Sequence, residues 1–208
     1  MRRAWRLAWC VLPLLFAAAV GSGVAPELEP VLQRLQKAAE EIQTLAGSFV
    51  QEKRLAMLKE PLVSRGRLYY ARPDRLRWEV TEPVARGFAL TGRTGRRWHQ
   101  RGGSPETFHL DRNPAMQAVA EQLFAWVRFD LVRLRLQYRI TVLGEHPVAL
   151  RLEPVPQAES GILRRLDVAF SGDGTHVECV EFTERDGDVT RITFTEMVLN
   201  APLSADLF

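Results

Sequence analysis

Two of the four histidines, one cysteine and two aspartate-glycine turns are the groups in this chain whose types suit chemistry. A strand over Arg96–Gln100 pairing with one over Thr107–Leu110 would bring His99 and His109 together, which raises a metal site. No third ligand stands at a recognised spacing, so neither a metal nor a cofactor is expected. Nucleophilic catalysis has no better footing. There is no G-x-S-x-G elbow and no H-E-x-x-H helix, and Cys179 falls in an alternating strand, where a half-buried thiol is inert. Asp173-Gly174 and Asp186-Gly187-Asp188 occupy turn positions that favour Asp for backbone reasons. The chain is not expected to be an enzyme.

The stretch Ser64 to Val80, S-R-G-R-L-Y-Y-A-R-P-D-R-L-R-W-E-V, carries the most information. Pro73 fixes its own φ and moves Arg72 away from helical backbone, so one strand ends and another begins at Arg72-Pro73-Asp74. In the second strand Leu76, Trp78 and Val80 point one way, and Arg75, Arg77 and Glu79 the other. A Trp in the middle of such an apolar face needs a packed core or an apolar ligand to lie against. Arginine is abundant around this hairpin, at positions 65, 67, 75, 77, 86, 93, 96, 97 and 101. A solvated strand face is the ordinary account of it, and contact with lipid head groups or an acidic partner is the alternative.

Compartment and charge follow from the N-terminus. Arg2, Arg3 and Arg6 form a basic region, Leu7 to Val20 an apolar run, and Gly21-Ser22-Gly23 a small-residue cleavage site, the pattern of a secretory signal peptide over residues 1–23. The run is shorter than the roughly 20 residues that span a bilayer, and Cys10, preceding most of it, is no lipidation site. The formal charge of +3 comes from 28 basic and 25 acidic residues. Cleavage takes away three arginines, leaving a near-neutral protein with no electrostatic case for a nucleic-acid partner. It also leaves Cys179 alone, so no internal disulfide can form and the core must hold the fold. Residues 24–208 suit a single domain.

Periodicity predicts a first helix over Pro26–Leu45, then strands over Leu45–Leu58, Leu62–Ala71, Arg75–Thr81, Gly87–Leu90 and Arg96–Gln100. Asn113 as cap and Pro114 at the first position open a helix through Met116, Val119, Ala120, Leu123, Phe124 and Val127. A short further helix reaches Leu136. Strands resume over Tyr138–Leu143, Val148–Glu153, Ile162–Phe170, Val177–Thr183 and Val189–Leu199, with Pro154–Gly161 a loop. The expected architecture is α+β, an incomplete antiparallel β-barrel of about ten strands whose concave face the helices cover. Leu76, Trp78, Val80, Phe88 and Leu90 are expected to line an apolar cavity of roughly 300–1,000 Å³, with Met116, Val119, Leu123 and Phe124 as its roof.

The order of motifs resembles the periplasmic lipoprotein carrier family, LolA. The resemblance rests on a helix leading into Gly47-Ser48-Phe49-Val50-Gln51, then Ser64-Arg65-Gly66-Arg67-Leu68-Tyr69, then Arg72-Pro73-Asp74-Arg75-Leu76-Arg77-Trp78, then Phe88-Ala89-Leu90-Thr91-Gly92 through Trp98. It implies a carrier that performs no chemistry, whose helices form a lid over a cavity for the acyl chains of lipoproteins crossing the periplasm. It implies loading by an inner-membrane ABC-type releasing complex, delivery to an outer-membrane receptor, and a monomer. The family's lid-gating arginine precedes the Pro of this turn and carries over to Arg72, whose fork would bond helix-end carbonyls. Leu76 stands where well-studied members carry an aromatic, and the sequence stops at Phe208 without their tail segment. The alternatives are a LolA-like carrier for a glycolipid or other lipid in an export pathway, and a lipoprotein-sensing binding module. A carrier is physically required for such cargo, because each methylene moved into water costs about 0.8 kcal/mol.

Overall fold

The computed structural model describes residues 27–156 and 162–208. The signal segment 1–23 and most of the 154–161 loop lie outside them. Along the chain come α1 (Leu28–Glu40), β1 (Thr44–Arg54), β2 (Leu62–Ala71), β3 (Arg75–Glu82), β4 (Arg86–Thr91), β5 (Thr94–His99) and β6 (Glu106–His109). A 3-10 turn at Leu110–Arg112 leads to α2 (Pro114–Arg128) and α3 (Leu131–Gln137). Then follow β7 (Tyr138–Glu145), β8 (Val148–Pro154), β9 (Leu163–Phe170), β10 (Val177–Glu184) and β11 (Val189–Leu199).

All eleven strands form one antiparallel sheet in the order β6-β5-β4-β3-β2-β1-β11-β10-β9-β8-β7. Neighbours in space are neighbours in sequence except at β1 and β11, where the two ends of the chain meet. Because β6 and β7 remain free edges, the barrel is open, and residues 110–137 must cross from one edge to the other. That crossing is where α2 and α3 form. Register shifts beside Ala46, Arg65, Val142 and Val177 mark bulges that bend their strands, which helps the sheet curl around a concave side.

Helix caps follow the sequence closely. The Asn113 side chain accepts from the Met116 N–H at 3.1 Å ahead of Pro114, and Asp130 does the same for α3 through the Arg133 N–H. Two boundaries differ from the periodic pattern by more than two residues, and one strand is added. The first helix stops at Glu40, short of Leu45, because the chain bends there to enter β1, although Ile42 stays buried on the same side. The first strand ends at Arg54 rather than Leu58, where the β1–β2 connection begins. The four-residue β6, close to the Thr107–Leu110 segment raised above only for a histidine pair, makes the count eleven strands among the described residues instead of about ten.

The apolar sides of both halves of the sheet and of α1 share one core, which includes Phe49, Leu68, Tyr70, Leu150, Leu166, Val180 and Phe194 with Val31, Leu32 and Leu35. At its centre the Phe49 ring stacks on Trp78, centroids 4.1 Å apart and planes 24° off parallel, while Phe194 meets Trp78 edge-on at 6.3 Å. Gly66 makes the stack possible. A Cβ there would lie 2.3 Å from Phe49 Cζ and 2.2 Å from the Glu79 carbonyl oxygen, so the ring passes over bare backbone.

Gly66→Ala should therefore push Phe49 off Trp78 and strain the β2–β3 pairing, costing about 1–3 kcal/mol as overpacking does. Denaturant unfolding and the near-ultraviolet signal of Trp78 check this. Unchanged stability would mean that Phe49 has room to move.

Candidate functional site

The β2–β3 turn at residues 72–74 holds both ends of the helical cover. A helix leaves its last four carbonyls without intrahelical partners, and this turn meets one of those of α1, that of Ala39, together with the carbonyls of Ile42 and Gln43 just beyond the helix. Arg72 Nε donates to the Ile42 carbonyl at 2.6 Å and Nη2 to that of Ala39 at 2.9 Å, while the Arg72 backbone N–H donates to the Gln43 carbonyl. From the other side Asn200 donates to the Glu41 carbonyl and accepts from the Gln43 N–H. A guanidinium at this position also complements the negative end of the helix dipole. The Arg72 side chain thus joins the β2–β3 turn to the C-terminal end of α1.

The second helix is tied to the same turn by a residue that the sequence does not single out. Arg128, the last of α2, donates through Nη2 to the Pro73 carbonyl and through Nε to Tyr70 Oη at 3.4 Å, and lies 4.4 Å over the Phe124 ring. The signal available is a basic residue in the last helical turn, which is common at any helix end. The two helices differ in what else holds them. Three large aliphatic side chains of α1, Val31, Leu32 and Leu35, are buried, each worth about 1.5–3 kcal/mol; α2 fully buries Leu123 and two alanines. Met116, Phe124, Trp126 and Val127 pack only in part.

Between helices and sheet runs a narrow apolar slot of about 30 Å³, walled by Leu35, Ile42, Trp78, Leu123, Trp126 and Phe194 among others. Two larger recesses adjoin it. One of about 420 Å³ lies against Trp78, Phe88, Val119, Leu123, Trp126 and Phe182, and one of about 460 Å³ against Trp78, Val80, Phe88, Arg97 and Met116. All three share Trp78. The indole N–H of Trp126 is buried among these walls with no acceptor among the described residues.

The sequence-selected residues divide accordingly. Trp78, Val80, Phe88, Met116, Val119 and Leu123 line the recesses. Leu76 and Leu90, 0% and 1% exposed, lie deeper in the packed core, and Phe124 turns to Tyr70 and Arg128. Trp126, Phe182 and Phe194 escape a reading by periodicity: the first sits off the main stripe of α2, and the other two meet rings far away in sequence, Phe182 that of Trp126 and Phe194 that of Trp78. His99 and His109 do not meet. Thr94 pairs with His109, which puts His99 five residues further along β5, roughly 16 Å away. Cys179 stays half-buried opposite Thr193. Asp173 is a turn residue, its carboxyl held down to about 2 by the Ser171 hydroxyl and then by the Thr175 N–H and hydroxyl. On the convex face Arg77 and Arg96 donate to the Leu207 and Phe208 carbonyls and Arg75 lies over the Phe208 ring, so part of the arginine surface is covered by Leu207 and Phe208.

An open, curled sheet with a loosely held helical cover over apolar space defines a class of protein able to enclose apolar ligands. Residues 40–208 match the family model described as outer membrane lipoprotein carrier protein LolA, and the chain belongs to that family. An outer-membrane lipoprotein carrier protein of Chromobacterium violaceum is 25% identical over 194 residues, covering 93% of this chain and 89% of that protein. An uncharacterized conserved protein of Thermus thermophilus has a similar structure, with a TM-score of 0.54 at 11% identity over 86% of this chain and 91% of the other. The Mycobacterium tuberculosis lipoprotein LppX gives 0.50 at 10% identity, over 86% and 100%. The likeness to the last two is one of fold. Among the described residues no helix is long and apolar enough to cross a membrane.

If Arg128 helps to hold α2 down, Arg128→Met should speed hydrogen exchange of the α2 amides about tenfold, the loss expected for a charged donor at a partly exposed site. The β3 amides should be unaffected. Equal exchange in both proteins would show that apolar packing alone seats the helix.

Proposed function

We propose that this protein is a periplasmic carrier that shields the acyl chains of lipoproteins in an apolar cavity on their way from the inner to the outer membrane. The observation that carries the reading is the continuity at Trp78 between a nearly filled slot beneath the helices and two open recesses beside it. With the helices seated, the slot has room for little more than one water molecule. Lifting α2, the less deeply buried helix, would join it to recesses already within the roughly 300–1,000 Å³ of ligand sites. The cover is closed in this form, and acyl chains would hold it open.

Gating is assigned to Arg72. Its two donors occupy carbonyls at the end of α1 when the cover is closed, and they would exchange those acceptors when the helices shift. Such contacts are easily remade, which a carrier needs, since it must release what it binds. The acyl-binding surface is assigned to Trp78, Val80, Phe88, Met116, Val119 and Leu123. Leu76 and Leu90 support it from below, and Phe124 braces the latch. An ester carbonyl of the cargo would give the Trp126 indole the acceptor that it lacks. In this reading residues 1–23 are a cleaved signal, 24–208 one carrier domain, and the protein a monomer without cofactor, catalysis or nucleic-acid partner. It would be loaded by an inner-membrane ABC-type complex and unloaded to an outer-membrane receptor.

Arg72→Leu should fold and load acylated cargo but release it slowly, because the closed form has lost its donors. Arg72→Lys should fall between, since a point charge cannot reproduce the fork. Loading and transfer rates measured with a purified acylated lipoprotein decide the matter. Identical rates for wild type and Arg72→Leu would make this an ordinary turn arginine, and failure of the wild type to bind acylated protein at all would end the carrier reading.

A further inference from the structure

The concave face changes character along its own rows. Residues paired across neighbouring strands point to the same side of a sheet, so the register of β3 to β6 places each row. The deepest row, Leu76, Leu90, Gly95 and Phe108, is apolar to the edge. The next begins with Trp78 and Phe88 and ends with Arg97 and Glu106. The third runs Val80, Arg86, His99. Arg86 and Arg97 therefore lie on the concave side with Trp78, apart from the convex-face arginines, and line the recess of about 460 Å³ together with His99.

Among the described residues, their hydrogen bonding leaves one cation uncommitted. Arg97 gives Nε and Nη2 to Glu106, at 2.9 and 2.7 Å, so that pair is neutral. Among the described residues Arg86 makes a single long contact, 3.5 Å, to the Val84 carbonyl, which leaves most of its five donors without a partner there. His99 accepts at Nδ1 from the Arg101 N–H at 3.1 Å, so its remaining ring N–H is a donor. A forked cation and an imidazole donor beside a Trp-Phe wall match a ligand with an anionic group joined to hydrocarbon.

We infer that this end of the recess is a head-group subsite, in which Arg86 and His99 hold the phosphate or carboxylate of an anionic amphiphile whose chain lies over Trp78 and Phe88. The inference rests on the acyl-carrier reading and narrows it, from acyl chains in general to those borne by a molecule with an anionic group near the ester. Glu106 sets its strength: while it occupies Arg97, only Arg86 is free to act.

Trp fluorescence titration of the signal-free protein with oleoyl lysophosphatidic acid, monoolein and glycerol phosphate tests it. The anionic lipid should bind about tenfold tighter than the neutral one, the gain typical of one charge-assisted contact at a partly exposed site. Arg86→Gln should erase that difference without changing monoolein affinity, and Glu106→Gln, which frees Arg97, should widen it. Both substitutions are at the rim, away from the core. Glycerol phosphate alone should not bind at these concentrations; binding as tight as that of the lipid would overturn the amphiphile and assign the site to a free phosphate compound. Equal affinity for the two lipids, unmoved by Arg86→Gln, would overturn the head-group subsite and leave acyl carriage standing. No binding of either lipid would overturn both.

Discussion

A single turn fastens the cover of this protein to its sheet. At residues 72–74 the side chain of Arg72 donates to the Ala39 carbonyl in the last turn of α1 and to that of Ile42 just beyond it, and the carbonyl of Pro73 accepts from the guanidinium of Arg128 at the end of α2. Each such bond contributes only about 0.5–3 kcal/mol net, small against the apolar surface that the sheet presents. That proportion matters. A concave apolar face has to be covered in water, yet a cover held by a large interface could not open, and here the polar fastening is compact and the apolar seating of α2 is light. The difference between α1 and α2 follows from sequence: α1 repeats large aliphatic residues on one stripe, whereas α2 places alanines at two of its three fully buried positions.

The sheet imposes the rest. Eleven antiparallel strands that stop short of closing leave two edges, and the segment between them must span the concave side. Bulges bend it, and Gly66 lets Phe49 cross bare backbone to reach Trp78. Trp78 thereby becomes a rigid wall, supported from behind by Phe49 and from the side by Phe194. A wall that is already packed keeps its shape whether or not the space in front of it is filled.

Much of this is legible in the sequence, and the division has a physical reason. The hairpin turn at Pro73, the alternation of Leu76, Trp78 and Val80, and the Asn113-Pro114 helix start are local signals, and each appears where periodicity and capping put it. Arg72 is singled out only by resemblance to a family pattern, which says nothing of its partners at Ala39 and Ile42. What fails to show depends on contacts between residues far apart in sequence: the contribution of Phe182 and Phe194 to the walls, the latch made by Arg128, and the placement of Leu76 and Leu90 below the recesses rather than in them. The same applies to charge. Nine arginines in one stretch look alike in sequence, but register sends Arg86 and Arg97 to the concave face, while Leu207 and Phe208 meet Arg75, Arg77 and Arg96 on the other.

The central claim is that α2 moves to admit acyl chains while the sheet stays as it is. It is tested most directly by a distance between the two. With Cys179 replaced by Ser, spin labels at the exposed positions Glu121 on α2 and Glu178 on β10 would report their separation in the ligand-free protein and with an acylated ligand bound. The account expects a separation that lengthens by several ångströms on binding, with a control pair inside the sheet unchanged. A ligand that binds while the α2 distance stays fixed would contradict it.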